Sequence, residues 1–177
     1  MKIIDYPIVR QSTTYTCGVA CVQAALCYYG INKREGQLLK MTEADRDGVS
    51  PDKIVKAIKQ FGLKATYKKL TIEDLILFVD KDIPVIVNFQ AWSNSDTPDY
   101  LTTNKDGHYA TVIGYNERRK ILIFSDSSSY YKTFLTYSEF ESRWHDGNKS
   151  DWDYDHMGIV VKGRRHVYRS DKIKRTE

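Results

Sequence analysis

Gln11-Ser12-Thr13-Thr14-Tyr15-Thr16-Cys17-Gly18 runs directly into the segment Val19 to Tyr29, and the reading of this junction decides the fold. From Gly18 to Tyr29 only Gln23 is clearly polar. Val19, Val22 and Leu26 form one stripe at helical spacing, and Cys21, Ala24, Ala25 and Tyr28 form another. A helix that is apolar nearly all round is a buried one. This one is too short to span a bilayer, and Gly30 supplies its C-terminal stop. The polar run before it brings Thr14, Tyr15 or Thr16 to the cap and Cys17 into the first turn. Unpaired N–H groups and the helix dipole favour an anion there, which for a cysteine is the reactive thiolate. Gly18 leaves room beside the sulfur for another backbone. Gln11, six residues upstream, has an amide able to donate to a developing oxyanion. The bland alternative is that free cysteines are small buried hydrophobes. That reading suits Cys21 and Cys27 in mid-helix, and Cys17 alone would be open to it as well.

At 177 residues the chain can build one sizeable core but not two comfortable domains. Its net charge of +4 owes much to the last stretch, Lys162 to Arg175, and such a mild excess marks a solvated surface rather than a nucleic-acid site. The three cysteines lie within one short stretch and form no disulfide framework; a Cys17–Cys21 bridge would strain a regular helix. Their clustering fits a reducing compartment. Met1 to Pro7 has no apolar core of signal-peptide length and no transmembrane run follows, so a cytoplasmic, membrane-free and monomeric protein is expected.

Taken in order, Lys2 to Val9 reads as an edge strand or extended arm interrupted by Pro7. Asn32 to Met41 suggests a second helix, and Ser50-Pro51-Asp52 a strong start for a third that ends at Gly62. Lys64 to Lys68 looks like a strand, and Thr71 caps a helix through Val79. The period then changes. Pro84 to Phe89 is a β-branched run of the kind buried on both faces. Gln90 to Gly107 is a long polar segment, a length usually tied to function or disorder. His108–Tyr115 and Lys120–Ser125 form a hairpin, Thr136 caps a helix carrying Phe140 and Trp144, and Met157 to Val161 is a last buried strand. Helices first and antiparallel strands second argue an α+β fold with segregated layers.

The hairpin produces the second cluster. Its register brings the start of one strand beside the end of the other, so His108 and Asp126 should be neighbours. A histidine bonded to a carboxylate is the base-and-orienter half of a catalytic triad. Asp106 and Asn88 stand as rival orienters.

The run from Gln11 through Cys17-Gly18 to Cys21, with Gly107-His108-Tyr109 and Ser125-Asp126, resembles the bacteriocin-processing, double-glycine leader peptidases. These form cysteine peptidase family thirty-nine of the papain-like superfamily, usually found at the N-terminus of ABC exporters. The resemblance covers roughly residues 3 to 162. It implies a papain-like fold over residues 1–162; residues 163–177 read, from their charge and terminal position, as a basic flexible tail. It also implies Cys17 as nucleophile, His108 as general base and acid, Asp126 as orienting carboxylate and Gln11 as oxyanion donor. Ser127 follows Asp126 where the exporter peptidases carry proline, and neither a transmembrane nor a nucleotide-binding region follows. A stand-alone relative is therefore expected, acting on a peptide or protein substrate.

No cofactor or metal is expected. Asp151 to His156 imitates the opening of a calcium loop but lacks its glycine and terminal glutamate, and His156 and His166 lack zinc spacing. His145 falls on the polar side of an amphipathic pattern and reads as a surface residue. The leading expectation is peptide-bond cleavage through an acyl-enzyme. The same thiol chemistry also allows a deamidase, isopeptidase or acyltransferase, and a papain-like peptide-binding module without turnover is the reading from another class.

Overall fold

In the computed structural model, residues 1–147, 154–173 and 175 are described. Five helices and seven strands follow in the order β1 (Lys2–Ile3), α1 (Cys17–Tyr28), α2 (Glu35–Thr42), α3 (Pro51–Lys59), β2 (Lys64–Lys69) and α4 (Ile72–Asp80). Then come β3 (Val85–Gln90), β4 (Gly107–Asn116), β5 (Ile121–Ser125), β6 (Thr133–Thr136), α5 (Tyr137–Arg143) and β7 (Met157–Lys162). The strands make one antiparallel sheet in the order β2-β7-β3-β4-β5-β6, with β1 paired to β4.

The fold is α+β, as the change of period predicts, although the layering is not a clean division along the chain. β2 comes from the helical half and pairs with β7 over its whole length, Lys64 opposite Lys162 and Lys69 opposite Met157. β6 is a four-residue strand that the sequence does not announce, because Thr133–Thr136 is short and sets Phe134 and Leu135 side by side without period-two alternation. α2 starts at Glu35 rather than Asn32: Gln37 reaches back to accept from the Arg34 N–H, which fixes the first turn there. Pro51 sits in the first turn of α3 with Ser50 at the N-cap, as its sequence demands. Thr71 and Thr136 cap α4 and α5 by accepting from the N–H of Asp74 and Glu139.

The central strands are buried on both faces, and β3 shows why such a strand is so uniformly apolar. Ile86 faces the cluster built with α1, α2 and α3, while Val85, Val87 and Phe89 face the cluster built with α4 and α5. Period-two alternation therefore splits one continuous hydrophobic run between two cores. α1 belongs to both. Val19, Val22, Ala25 and Leu26 pack into the first cluster, and Ala24 and Tyr28 into the second. Ten of its twelve residues are buried, which is the outcome its all-round apolarity requires.

The basic tail past Lys162 makes specific backbone contacts that its charge does not foretell. The N–H groups of Val167 and Tyr168 donate to Tyr28 O at 3.0 and 3.2 Å, using a carbonyl at the C-terminal end of α1. The His166 ring stacks on Tyr28 with centroids 4.9 Å apart, and Ser170 N donates to Asp5 Oδ2 at 2.9 Å. Among the described residues no helix is long and apolar enough to cross a membrane.

Candidate active site

Cys17 is the first residue of α1 and is 7% exposed. Its N-cap, Thr16, makes no side-chain cap; its hydroxyl instead accepts from Thr13 N at 3.2 Å. The first-turn amides are thus left for another acceptor, and the backbone N–H groups of Gly18 and of Tyr109 in β4 favour the anionic form of the Cys17 sulfur. Gly18 is what allows the Val49 side chain and the Tyr109 ring to pack this close. A Cβ there would run into Val49 Cγ1 and would meet Tyr109 Cδ2 at 3.1 Å.

His108 is the second residue of β4 and is 5% exposed. Its Nε2–H donates to Asp126 Oδ1 at 2.8 Å, since a carboxylate can only accept. That choice leaves Nδ1 as the nitrogen available to the Cys17 thiol, whose interaction with the imidazole helps to raise the His108 pKa. The hairpin argument for this pairing holds with one refinement. β4 and β5 pair Thr111 with Ser125, and a bulge between Val112 and Gly114 shifts the register further along. His108 and Asp126 are therefore diagonal rather than directly opposite, within reach of two long side chains. Of the two rival orienters, Asn88 turns its amide to Asp146 at 2.7 Å, and the carboxylate seen bonded to the imidazole is that of Asp126 rather than Asp106.

Asp126 is 2% exposed and held from several sides. Ser128 N donates to Oδ1 at 2.9 Å, and Trp92 Nε1 and the Thr133 hydroxyl donate to Oδ2 at 3.0 and 3.2 Å. Sequence reasoning did not reach Trp92 or Thr133. Both lie in loop or short-strand surroundings where no periodicity points inward, and Trp92 has a φ of 59°, a left-handed conformation costly for so bulky a residue. That conformation is the one local signal of a fixed role, and it exists only in three dimensions.

Gln11 lies alongside this end of the site. Its Oε1 accepts from the Ser127 and Ser128 hydroxyls at 2.8 and 2.9 Å, while its Nε2 donates to Thr13 O at 2.7 Å. One of the two amide hydrogens is thereby used and one remains. Ser127, where the resembling peptidases carry proline, thus contributes a hydroxyl that proline lacks, and its carbonyl accepts from Gln11 N at 3.3 Å.

The electrostatics of the three buried groups are coupled. Burial pushes the Cys17 thiol up, but its hydrogen bond with His108, the imidazolium charge and the two backbone N–H groups outweigh this and bring it below the ordinary value. Burial opposes the charged form of His108, yet its bonds to Asp126 and Cys17 and their negative charges push it up to about 9. Asp126, disfavoured by burial, is nonetheless held below the usual carboxylate range by His108, the Ser128 N–H and Trp92. An imidazole set between a low thiol and a fixed carboxylate can accept the thiol proton and return it to a leaving group.

A cleft of about 570 Å³ opens beside Cys17, lined among others by Tyr15, Val49, Asn88, Gly107, Tyr109 and Asp146. His145, expected at the surface, is buried. Its ring nitrogens sit 2.9 Å from Asn104 Oδ1 and 3.0 Å from Tyr100 O, so it anchors the 91–106 loop against the end of α5. A one-dimensional pattern places a residue on a helix face but does not show that a remote loop covers that face. Among the described residues no group of three His, Cys, Asp or Glu side chains is arranged to hold a metal. The first three residues of the acidic run Asp151–His156 lie outside the described residues.

This fold is shared with the peptidase domains of transporters. The peptidase domain of Streptococcus ComA, a bifunctional ABC transporter of a quorum-sensing pathway, superposes with a TM-score of 0.67 at 22% identity, covering 89% of this chain and 97% of that one. A double-glycine motif protease from an AMS/PCAT transporter, solved with its leader peptide, gives 0.65 at 18% identity, covering 90% and 93%. The profile of the Peptidase_C39 like family matches residues 3–151, and the chain belongs to that family. An uncharacterized protein of Methanothermobacter thermautotrophicus is 32% identical over 71 residues, 40% of this chain. The chain spans about half the length of that curated relative.

Proposed function

We propose that this protein is a cysteine peptidase that cleaves a peptide bond through an acyl-enzyme formed on Cys17. Family and fold support a peptidase in general. The observation that carries the finer reading is the buried chain Cys17–His108–Asp126, with the His108–Asp126 bond at 2.8 Å. In this reading His108 holds the thiol proton, and the Cys17 thiolate attacks the scissile carbonyl. The Gln11 amide and the first-turn N–H groups of α1 stabilise the oxyanion. The proton on His108 then passes to the leaving amine, and a water activated by the same imidazole releases the acid. Asp126 fixes the tautomer and never needs to touch substrate. The peptidase unit is taken as residues 1–162, with 163–177 as an appended basic segment.

The test uses the thiol itself. Iodoacetamide at pH 6 should modify Cys17 selectively and spare Cys21 and Cys27, as read by peptide mapping. The alkylation rate should rise with pH through a value below that of a free thiol, about 8.5. Turnover should follow the same rise and then fall as His108 loses its proton near 9. Uniform labelling of the three cysteines would remove Cys17 as the nucleophile.

A further inference from the structure

The cleft beside Cys17 has a rim and a floor of different character. Arg46, Asp47 and Lys105 on the rim are exposed, where water and salt screen their charges. Lys53, also in the lining, is paired with Glu43 at 3.2 Å. Further in, half-buried Asp146 sets its carboxyl over the Cα of Gly107, the residue preceding His108. A Cβ on Gly107 would meet its Cγ at 2.7 Å and its Oδ1 at 2.8 Å. Glycine at 107 therefore makes the space that Asp146 fills.

Asp146 is fixed rather than loose. Its Oδ1 accepts from Gly147 N at 2.9 Å and Gln90 Nε2 at 3.3 Å, and its Oδ2 accepts from Asn88 Nδ2 at 2.7 Å. These donors orient the carboxyl, but burial still pushes it above the ordinary carboxylate range, and among the described residues no lysine or arginine is paired with it, so a cationic partner would stabilise its charged form. Asn88 supplies the second observation. It is 7% exposed and lines the same cleft; its NH₂ donates to Asp146, and among the described residues its Oδ1 has no hydrogen-bond partner. The amide cannot be reversed without setting two acceptors against each other. A buried acceptor left unsatisfied in a native structure requires an explanation, and an absent ligand donor is one.

We propose that Asp146 and Asn88 form a substrate subsite for a cationic group, an ammonium or guanidinium that gives one N–H to the carboxylate and another to Asn88 Oδ1. The inference rests on the peptidase reading, and it adds a preference for peptides that bring a lysine or arginine side chain, or a free N-terminal amine, into the cleft beside Cys17. A neutral apolar side chain would leave Asn88 Oδ1 unmet and the Asp146 carboxyl without a counter-charge, and an acidic one would set two carboxyls against each other. Charge-assisted bonds of this kind are about twice as strong as neutral ones.

The test measures binding and does not depend on turnover. The full-length Cys17→Ala protein is titrated with acetyl-lysinamide, alaninamide and acetyl-norleucinamide while the side-chain amide signals of Asn88 are followed by NMR. Acetyl-lysinamide should shift them saturably and bind at least about ten-fold more tightly than acetyl-norleucinamide, the margin expected of a charged hydrogen bond. Preference for alaninamide instead would assign the subsite to a peptide N-terminus. Asp146→Asn should erase the difference between charged and neutral probes. Equal binding of lysine and norleucine probes, or no response at Asn88, overturns the proposal, and this comparison stands even if Asp146→Asn does not fold. Cys17 alkylation is read separately in the unaltered protein, so failure of the subsite and failure of the peptidase reading give different results.

Discussion

The first two turns of α1 each carry a buried thiol, and they behave in opposite ways. Cys17, in the first turn, meets the His108 ring and the N–H groups of Gly18 and Tyr109, and its acidity is raised despite burial. Cys21, one turn on, is pushed well above the ordinary thiol range, first by burial and then by the negative charge of Cys17. The residue type, the helix and the depth are shared; the neighbours are not. Burial alone makes a cysteine inert, and a thiolate forms only where donors are already aimed at the sulfur. An uncapped helix start is where such donors exist, because in mid-helix every N–H is spent on a carbonyl one turn back.

The comparison breaks most sharply if the two thiols are removed in turn. Cys17→Ala should lower peptide turnover by on the order of 10⁴-fold or more, the scale seen when a nucleophile is deleted. Cys21→Ala should stay within a few-fold in activity, since its sulfur only fills space. Measuring kcat for both on one peptide decides it, and equal losses would mean that the two turns are not chemically distinct.

A smaller effect should follow from disturbing the partner that sets Cys17 apart. Asp126→Asn keeps the size of the side chain but weakens its hold on the His108 tautomer and removes the charge that favours imidazolium. Acylation should slow by on the order of 10³-fold, somewhat less than for a serine nucleophile because a thiol is intrinsically more acidic. The His108 pKa should fall from about 9 toward its ordinary value, read by NMR titration. The stability linked to this group runs the same way. A histidine whose folded pKa is raised stabilises the fold fully below its unfolded value of about 6.5 and loses that contribution as pH climbs through the folded one. Full single-turnover acylation in Asp126→Asn would take the carboxylate out of the site.

The smallest of the three effects concerns Gln11, which contacts neither thiol in the ground state but is held by Ser127 and Ser128 beside Asp126. Gln11→Ala should cost on the order of 10²-fold in kcat with KM nearly unchanged, because its remaining N–H would act on charge present only in the transition state. A rise in KM alone would make Gln11 a residue that positions substrate, and the first-turn amides of α1 would then be the oxyanion donors.

Much of this was legible in one dimension. The helix over Cys17–Tyr28, the Pro51 start of α3, the caps at Thr71 and Thr136 and the doubly buried strand β3 follow from local chemistry and from periods of 3.6 and 2. Cys17 stood out because a cysteine opening an apolar helix is a local pattern. His108 and Asp126 could be joined because a hairpin carries its own register within a few dozen residues.

The sequence by itself thus determined the α+β class, the buried helix and the pairing of the two ends of one hairpin, because each depends on residues near one another along the chain. Tertiary structure alone decided the rest. The register of β2 on β7, the Trp92 donor on Asp126, the burial of His145 and the meeting of Asp146 with Gly107 and Asn88 all join segments many residues apart. No period or cap encodes such contacts. They are fixed by which surfaces remain unburied after the local elements form and by how those surfaces close on one another, a property of the whole packed chain and of no single stretch of it.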